Sequence, residues 1–220
     1  MALNLQEYQV TLELLEPMLG TTPLDREVFK KHVVRPEVDP ELVDEECVTI
    51  EDVPGWTGFH KDERGRPHIF NYVVKGQLKS ACQALWEIRD TESQKLRAYR
   101  KKIDRHVFVV PRRIFLRLPD GEDIIRAKDH QDDDDSLTVP VKRPLRAMTA
   151  KGERITIARS EVAPVGTELC FGIMVIKGSP ITENMLKEWL SYGRLLGLGQ
   201  WRSAGFGSFG HEVKLVEHGR

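Results

Sequence analysis

A glycine-rich segment near the end of the chain carries the residues best suited to holding an anion. Residues 197–210 contain five glycines, three aromatic residues and Arg202. Glycine lets another molecule approach the backbone N–H groups closely, and a guanidinium donates to phosphate oxygens in a fixed fork. The segment therefore predicts contact with a nucleic-acid backbone; the alternative is a tight turn whose aromatic rings lie in the core. The expected contacts are Gly197, Gly199, Arg202, Gly205 and Gly207, with Trp201 as a packing anchor beneath them.

Two common nucleotide-binding loops are excluded for this segment. A P-loop requires Lys followed by Ser or Thr, and a dinucleotide-binding fingerprint requires a strand directly before its glycines. Residues 197–210 have no such Lys pair, and a helical pattern precedes them. We therefore expect no nucleotide cofactor.

Charge is strongly segregated along the chain, although the net charge is only −1. Residues 37–52 and 120–135 hold eight acids each, whereas residues 89–117 hold ten Lys or Arg against three acids and residues 142–159 hold six against one. A near-neutral protein with basic blocks can bind a polyanion on one face; the alternative is ordinary solvated surface charge. The further contacts expected are Lys75, Gly76, Lys79, Arg100, Lys101, Arg112, Arg113, Arg143 and Arg146.

Local patterns suggest how some of these residues are presented. Lys75 and Lys79 flank Gly76 at the expected start of a helix, where free backbone N–H groups favour anions. Arg143 and Arg146 are expected on a thumb-like hairpin above the bound strand.

No metal site is expected. No two histidines stand at a spacing typical of a metal or catalytic site, so each is expected to be structural or solvated. The four aspartates at 132–135 lack the EF-hand pattern. Cys47, Cys82 and Cys170 are widely spaced, which fits reduced thiols in a reducing compartment.

The elements that must position these residues follow from hydrophobic periodicity. Their order is strand (7–15), helix (77–89, after a break at Gly76), strand (107–117), strand (167–176), helix (182–195, capped by Thr182) and strand (211–216). This βαββαβ order predicts an α+β, ferredoxin-like domain with two helices on one face of an antiparallel sheet. We expect a single domain over residues 1–220, with insertions at about 20–68 and 119–163. No apolar run reaches bilayer length and no secretion signal is visible, so a cytoplasmic protein without membrane contact is expected.

The element order, with the glycine-rich segment between the last helix and the last strand, resembles the RAMP superfamily of CRISPR-associated proteins. Residues 73–81 are similar to the beginning of the first helix in the backbone subunits of CRISPR effector complexes. Residues 160–167 are similar to a strand lead-in of those subunits. The compact chain also suits a phage-encoded relative of the family.

The resemblance implies a protein of antiviral defence that binds single-stranded RNA or DNA without sequence preference, and RNA is expected ahead of DNA. Its expected partners are the strand, copies of itself along that strand and other subunits of the complex. One alternative is a metal-independent endoribonuclease, for which His32 is the candidate general base. Another is a structural or inhibitory protein that contacts a host complex, which the acidic blocks would suit.

Overall fold

The computed structural model describes residues 4–24, 55–119, 141–149 and 152–216, with backbone alone at 141–149 and 152–156. The strands are β1 (Leu5–Leu14), β2 (Met18–Leu19), β3 (Thr22–Pro23), β4 (Trp56–Gly58), β5 (His60–Lys61), β6 (Pro67–Phe70), β7 (Val107–Val110), β8 (Arg113–Arg117), β9 (Val141–Thr149), β10 (Gly152–Ser160), β11 (Val162–Ala163), β12 (Glu168–Ile176) and β13 (Phe209–Leu215). The helices are α1 (Asn71–Trp86), α2 (Tyr99–His106), α3 (Glu183–Ser191) and α4 (Gly193–Leu196), with 3-10 turns at Ser93–Lys95 and Arg202–Ala204.

The larger sheet has the strand order β13–β1–β12–β8–β6–β5, and β7 pairs with β12 beside β8. These pairings are antiparallel. The alternation predicted for β1 is confirmed, because Tyr8, Val10 and Leu12 are buried whereas Gln9 and Glu13 are exposed. The buried side of the sheet packs against α1 and α3 in one core. The structure therefore confirms an α+β protein with antiparallel sheets.

Helix α1 begins earlier than its periodicity predicts. Asn71 is its first residue, and the Asn71 side-chain amide donates to the Val109 carbonyl oxygen at 2.7 Å. The expected helix start at Lys75 and Gly76 is therefore wrong: both residues lie within the second turn. Gly76 does not break the helix, because the buried stripe that includes Val74 and Leu78 continues past it.

Helix α3 begins where the sequence predicts. Thr182 caps α3, since its hydroxyl accepts from the Met185 N–H at 3.2 Å, and Met185 and Trp189 are buried. The Gln77 side-chain amide donates to the Trp189 carbonyl oxygen at 3.1 Å, which ties α1 to α3. The predicted helix over 182–195 is divided, because α3 ends at Ser191 and the short α4 follows.

The predicted strand over 107–117 is divided, because β7 ends at Val110 and β8 begins at Arg113, and the bend between them has a structural consequence. β7 pairs with β12 over four residues, and the chain then leaves β12. β8 pairs with β6 from Arg113 to Phe115 and rejoins β12 at Leu116 and Arg117. The bend therefore gives β6 and β8 a surface of their own at one side of the sheet.

The parts of the chain between the principal elements form a smaller sheet, in the order β3–β4–β10–β9. β9 and β10 pair antiparallel from Thr149 with Gly152 to Val141 with Ser160, which confirms the expected hairpin. The acidic blocks at 37–52 and 120–135 lie outside the described residues. The division into one domain with two insertions stays a prediction.

A buried ion pair holds the smaller sheet to the rest of the protein. Lys61 Nζ lies 2.7 Å from Glu161 Oε1, and both side chains are at most 5% exposed. Glu161 Oε2 accepts from the Phe59 N–H at 3.0 Å, and its carbonyl oxygen accepts from the Gly20 N–H at 3.0 Å. A Cβ on Gly58 would lie 2.3 Å from Glu161 Oε2, so glycine is required there. Removing one partner of such a pair typically costs about 3–5 kcal/mol.

Cys82 and Cys170 are free thiols, and burial raises the pKa of the Cys82 thiol to about 11. In the part of the chain that the structure describes, no helix is both long and apolar enough to cross a bilayer.

Candidate nucleic-acid interface

The glycines of the loop bring the chain close to itself. A Cβ on Gly207 would lie 1.9 Å from the Leu198 carbonyl oxygen, and one on Gly199 would lie 2.6 Å from the Leu19 carbonyl oxygen. The N–H groups of Gly197, Leu198 and Gly207 already donate to carbonyl oxygens of this chain. Three of the glycines therefore serve close packing within the protein, as the tight-turn alternative anticipates.

The outer end of the loop, residues 201–205, is exposed. Trp201 stacks on Phe206, with ring centroids 5.3 Å apart and an interplanar angle of 11°. The expected role of Trp201 as a buried packing anchor is wrong, because 40% of the residue is exposed. Arg202 follows directly, and a Cβ on Gly205 would meet nothing within 4 Å. The loop tip thus combines one guanidinium, an aromatic pair and open backbone.

A second basic and aromatic group lies where β6, β8 and the start of α1 meet. Strand pairing sets Phe70 opposite Arg113 and His68 opposite Phe115. These residues lie on the opposite side of their strands from Ile69, Ile114 and Leu116, since side chains alternate along strands. On that side His68 and Phe70 are buried, whereas Arg113 and Phe115 are half-buried. We call this group the arginine–aromatic face. It consists of Arg66, Phe70, Tyr72, Arg112, Arg113, Phe115 and Arg117.

Ring contacts hold the arginines of this face in place. The Arg66 guanidinium carbon lies 4.4 Å from the centre of the Phe115 ring, and that of Arg112 lies 5.8 Å from the Phe70 ring. Tyr72 stacks on Phe70 at 5.7 Å and is 64% exposed. Contacts of this kind contribute about 0.5–1 kcal/mol at exposed sites. The arrangement presents guanidinium groups beside an accessible ring without further rearrangement.

The arginine–aromatic face keeps an excess of positive charge. Asp62 binds Arg66 at 2.7 Å. Burial alone would raise the pKa of the Asp62 carboxyl, but hydrogen bonds from Arg66 and Arg64 lower the pKa overall. Arg112, Arg113 and Arg117 add further positive charges. Burial, with His68 and Arg113 nearby, lowers the pKa of His60 to about 4. Burial likewise lowers the pKa of His68, so both histidines are neutral at neutral pH.

The remainder of the same sheet surface carries the opposite charge. Glu13 on β1 lies directly opposite Glu168 on β12, and Glu168 lies opposite Arg117 on β8. Glu7 and Glu212 stand on the same side of their strands as Glu13. The surface is therefore acidic over β1 and β12 and basic over β6 and β8, with the change of sign between Glu168 and Arg117.

Lys75 and Lys79 are engaged with an acid of this chain. Asp104 Oδ1 lies 2.5 Å from Lys79 Nζ and 3.8 Å from Lys75 Nζ, and Lys75 also donates to the Asp104 carbonyl oxygen at 3.1 Å. The hydrogen bond from Lys79 is the main reason that the pKa of Asp104 is lowered. Burial lowers the pKa of Lys75, although Asp104 opposes this. The charge of these two lysines is partly compensated within the protein.

The structure does not gather the predicted basic residues into one track. Arg100 and Lys101 lie on α2, on the helical side of the sheet, whereas Arg113 lies on the other side. Arg143 and Arg146 lie in β9, paired with Ala158 and Ile155, and their side chains lie outside the described part. His32, the candidate for catalysis, also lies outside the described residues.

Sequence reasoning missed Arg66, Tyr72 and Arg117. The signal was present as period-two alternation, because Arg66, His68 and Phe70 are two residues apart, as are Arg113, Phe115 and Arg117. Pro67 and the nearby glycines make β6 hard to recognise in the sequence, and β6 is only four residues long. Among the described residues, no three His, Cys, Asp or Glu are close enough together to hold a metal ion.

No family model and no curated protein matches the chain. Solved structures that resemble it include a chain of the cryo-EM structure of the Type III-B Cmr-beta complex bound to cognate target RNA. That match has 13% identity and a TM-score of 0.48, and covers 97% of this chain and 61% of that chain. A second is a chain of a Type IV-B CRISPR complex, with 12% identity, a TM-score of 0.45, and coverage of 94% and 90%. Identities and TM-scores this low support no argument about function, so the proposed function rests on the residues of this chain.

Proposed function

We propose that this protein binds single-stranded RNA, without sequence preference, along its arginine–aromatic face. The proposal includes a RAMP-type role in antiviral defence, in which copies of the chain and other subunits line up along one strand. The observation that carries it is the clustering of four arginines and three aromatic rings where β6, β8 and the start of α1 meet.

The chemistry of the arginine–aromatic face suits a flexible polyanion with exposed bases. Guanidinium groups donate to phosphate oxygens in pairs, and an accessible ring such as Tyr72 stacks with any base because every base has a π-face. The Arg66 and Arg112 guanidinium groups are already held against rings, so less side-chain freedom is lost when a strand binds. A site of this kind binds the phosphate backbone and the faces of the bases, so it does not select a base sequence.

The acidic part of the sheet limits where the strand runs. Glu13 and Glu168 repel phosphate, so the strand follows β6 and β8 and does not cross β1. Arg202 and the Trp201–Phe206 pair at the loop tip supply a second contact of the same chemistry.

The sheet order supports the ferredoxin-like form of the fold that this proposal assumes. Strands β13, β1, β12 and β7 are adjacent in that order. Helix α1 follows β1 and α3 follows β12, which matches a βαββαβ chain.

A salt titration tests the proposed function. We expect fluorescence anisotropy to detect binding of a single-stranded oligoribonucleotide, with the logarithm of affinity falling linearly against the logarithm of salt concentration. The slope expected is about −0.7 for each phosphate contacted, hence roughly −2 to −3 for three or four arginine contacts. No binding, or binding that salt does not weaken, would refute the proposal.

A further inference from the structure

A second aromatic and basic site lies on the helical side of the protein, apart from the arginine–aromatic face. It is a cleft of about 380 Å³ lined by Trp86, Ala98, Tyr99, Arg100 and Lys101. Pockets that hold small ligands typically begin at about 300 Å³. The cleft lies between the last residue of α1, Trp86, and the first residues of α2. We call it the Trp86–Tyr99 cleft.

The aromatic wall of the cleft combines one exposed ring, that of Trp86, with one anchored ring, that of Tyr99. Trp86 is 43% exposed, although a large apolar side chain at a helix end is normally covered. Tyr99 lies between two buried anchors, Leu96 and Ile103, which hold the start of α2 in the core. A ligand that stacks on Trp86 and Tyr99 thus meets a surface already in place.

The backbone at the cleft adopts a costly conformation. Ala98 has φ 52° and ψ 40°, the left-handed region, which costs a non-glycine residue about 1–2 kcal/mol. The first bond of α2 runs from the Lys102 N–H to the Ala98 carbonyl oxygen at 3.2 Å, so this residue sets the direction in which α2 begins. Strain held at such a position is typical of binding sites.

The rim of the cleft is positively charged, and within the described part of the chain no acid forms an ion pair with Arg100 or Lys101. The Arg100 guanidinium donates to Gln83 Oε1 at 2.8 Å and to the Tyr99 hydroxyl at 3.2 Å, and both acceptors are neutral. Lys101 is exposed and forms no ion pair with any residue that the structure describes. The nearby Asp104 is engaged by Lys75 and Lys79. An anionic group at the rim therefore meets two positive charges that no described acid binds.

We propose that the Trp86–Tyr99 cleft binds one nucleotide, with the base stacked on the two rings and the phosphate held by Arg100 and Lys101. A flat ring accounts for the exposed aromatic wall, and a phosphate accounts for the basic rim. The site goes beyond the function proposed above, because it lies on the opposite side of the sheet and binds one nucleotide unit.

Adenosine monophosphate and adenosine are the probes that test this site, by equilibrium titration with the whole chain. Trp86→Leu is expected to raise the Kd of both probes about tenfold, because stacking on one ring is lost. Lys101→Glu is expected to raise the Kd of the monophosphate severalfold and to leave that of adenosine unchanged. Phe108→Leu is the matched control, since Phe108 is 40% exposed and lies outside the cleft, and it is expected to bind both probes as the wild type does.

Three outcomes overturn the nucleotide site: neither probe binds, Trp86→Leu binds as the wild type does, or Lys101→Glu weakens both probes equally. The last variant changes only an exposed side chain, so a folding defect does not obscure the result. A photoreactive oligonucleotide then separates the sources of the nucleotide, because cross-links at Trp86 or Tyr99 assign it to a strand and their absence assigns it to the free pool. Arg112→Glu is expected to keep wild-type affinity for the monophosphate, so the cleft and the arginine–aromatic face can fail independently.

Discussion

The glycines of the loop differ in what they do, although they look alike in the sequence. Gly207 has φ 73° and would bring a Cβ into the Leu198 carbonyl oxygen, whereas Gly205 has φ 91° and open space around it. The first is required by packing and by conformation, the second by conformation alone. The loop is therefore a rigid base that carries an accessible tip.

Gly205→Ala and Gly207→Ala form a matched pair of substitutions. Gly205→Ala is expected to lower the free energy of unfolding by about 1–2 kcal/mol, the cost of a left-handed alanine. Gly207→Ala is expected to cost several kcal/mol more, because the new Cβ would meet backbone atoms of Leu198. Those atoms cannot move without shifting the chain around them. Urea denaturation measures both. Equal destabilisation would contradict the distinction between a packed base and an open tip.

His60 makes stability depend on pH in a defined direction. Its pKa in the folded protein is about 4, below the ordinary 6.5, so the unfolded chain takes up the proton more readily. Stability is complete above about pH 6.5 and is lost as the pH falls toward about 4. Between about pH 7.5 and about pH 5 this one group is expected to account for about 2 kcal/mol.

His60→Phe removes that titration and is the variant to compare. Its unfolding free energy is expected to fall less than that of the wild type over the same pH interval, measured by urea denaturation at each pH. The buried His68 remains in the variant and retains part of the dependence. Parallel pH profiles of wild type and His60→Phe would show that His60 is not held in its neutral form.

At the scale of the elements, the strand register sets two carboxylates side by side. Glu13 and Glu168 are directly opposite across β1 and β12, an arrangement that costs roughly 0.2–1 kcal/mol. Glu13→Gln is therefore expected to raise the urea midpoint, with a larger gain at low salt because screening is weaker there. Glu212→Gln is the control, since Glu212 binds Lys214 at 2.9 Å and its loss offers no relief. A lower midpoint for Glu13→Gln would contradict the register argument.

The longer elements could be predicted from the sequence because periodicity and burial agree in them. β1, β12 and α3 are each long enough to show a period, and Thr182 marks where α3 begins. The start of α1 could not be predicted, because Ile69 and Phe70 belong to a strand and the helix follows without a break. The position of Asn71 depends on a contact with Val109, which is distant in sequence.

Contacts between residues distant in sequence also limit how much of the candidate site could be predicted. Arg112 and Arg113 stand out in the sequence because a basic block surrounds them, whereas only a short alternation marks Arg66. The contact of Arg66 with Phe115 exists only after β6 pairs with β8. Charge alone marks Lys75 and Lys79 as phosphate contacts, but in the structure both lysines bind Asp104 on another helix. Sequence shows where charge is, and the fold decides which charges are already compensated.

For the whole molecule, one sheet surface carries two signs of charge. In the proposed function, the basic part over β6 and β8 attracts a strand, and the acidic part over β1 and β12 repels it. Lys177 stands at the end of β12 far from Glu168 and Arg117, about 30 Å away at the usual rise per strand residue. It is exposed like Arg117 and lies outside the arginine–aromatic face.

The salt dependence of RNA binding in Arg112→Gln, Arg117→Gln and Lys177→Gln tests the central claim most directly. Each substitution removes one positive charge, and anisotropy titrations at several salt concentrations give the slope for each variant. Arg112→Gln and Arg117→Gln are each expected to weaken binding and to make the slope shallower by about 0.7, the loss of one phosphate contact. Lys177→Gln is expected to keep the wild-type slope. If all three variants keep that slope, or if Lys177→Gln changes it as much as the others, the strand does not bind along the arginine–aromatic face.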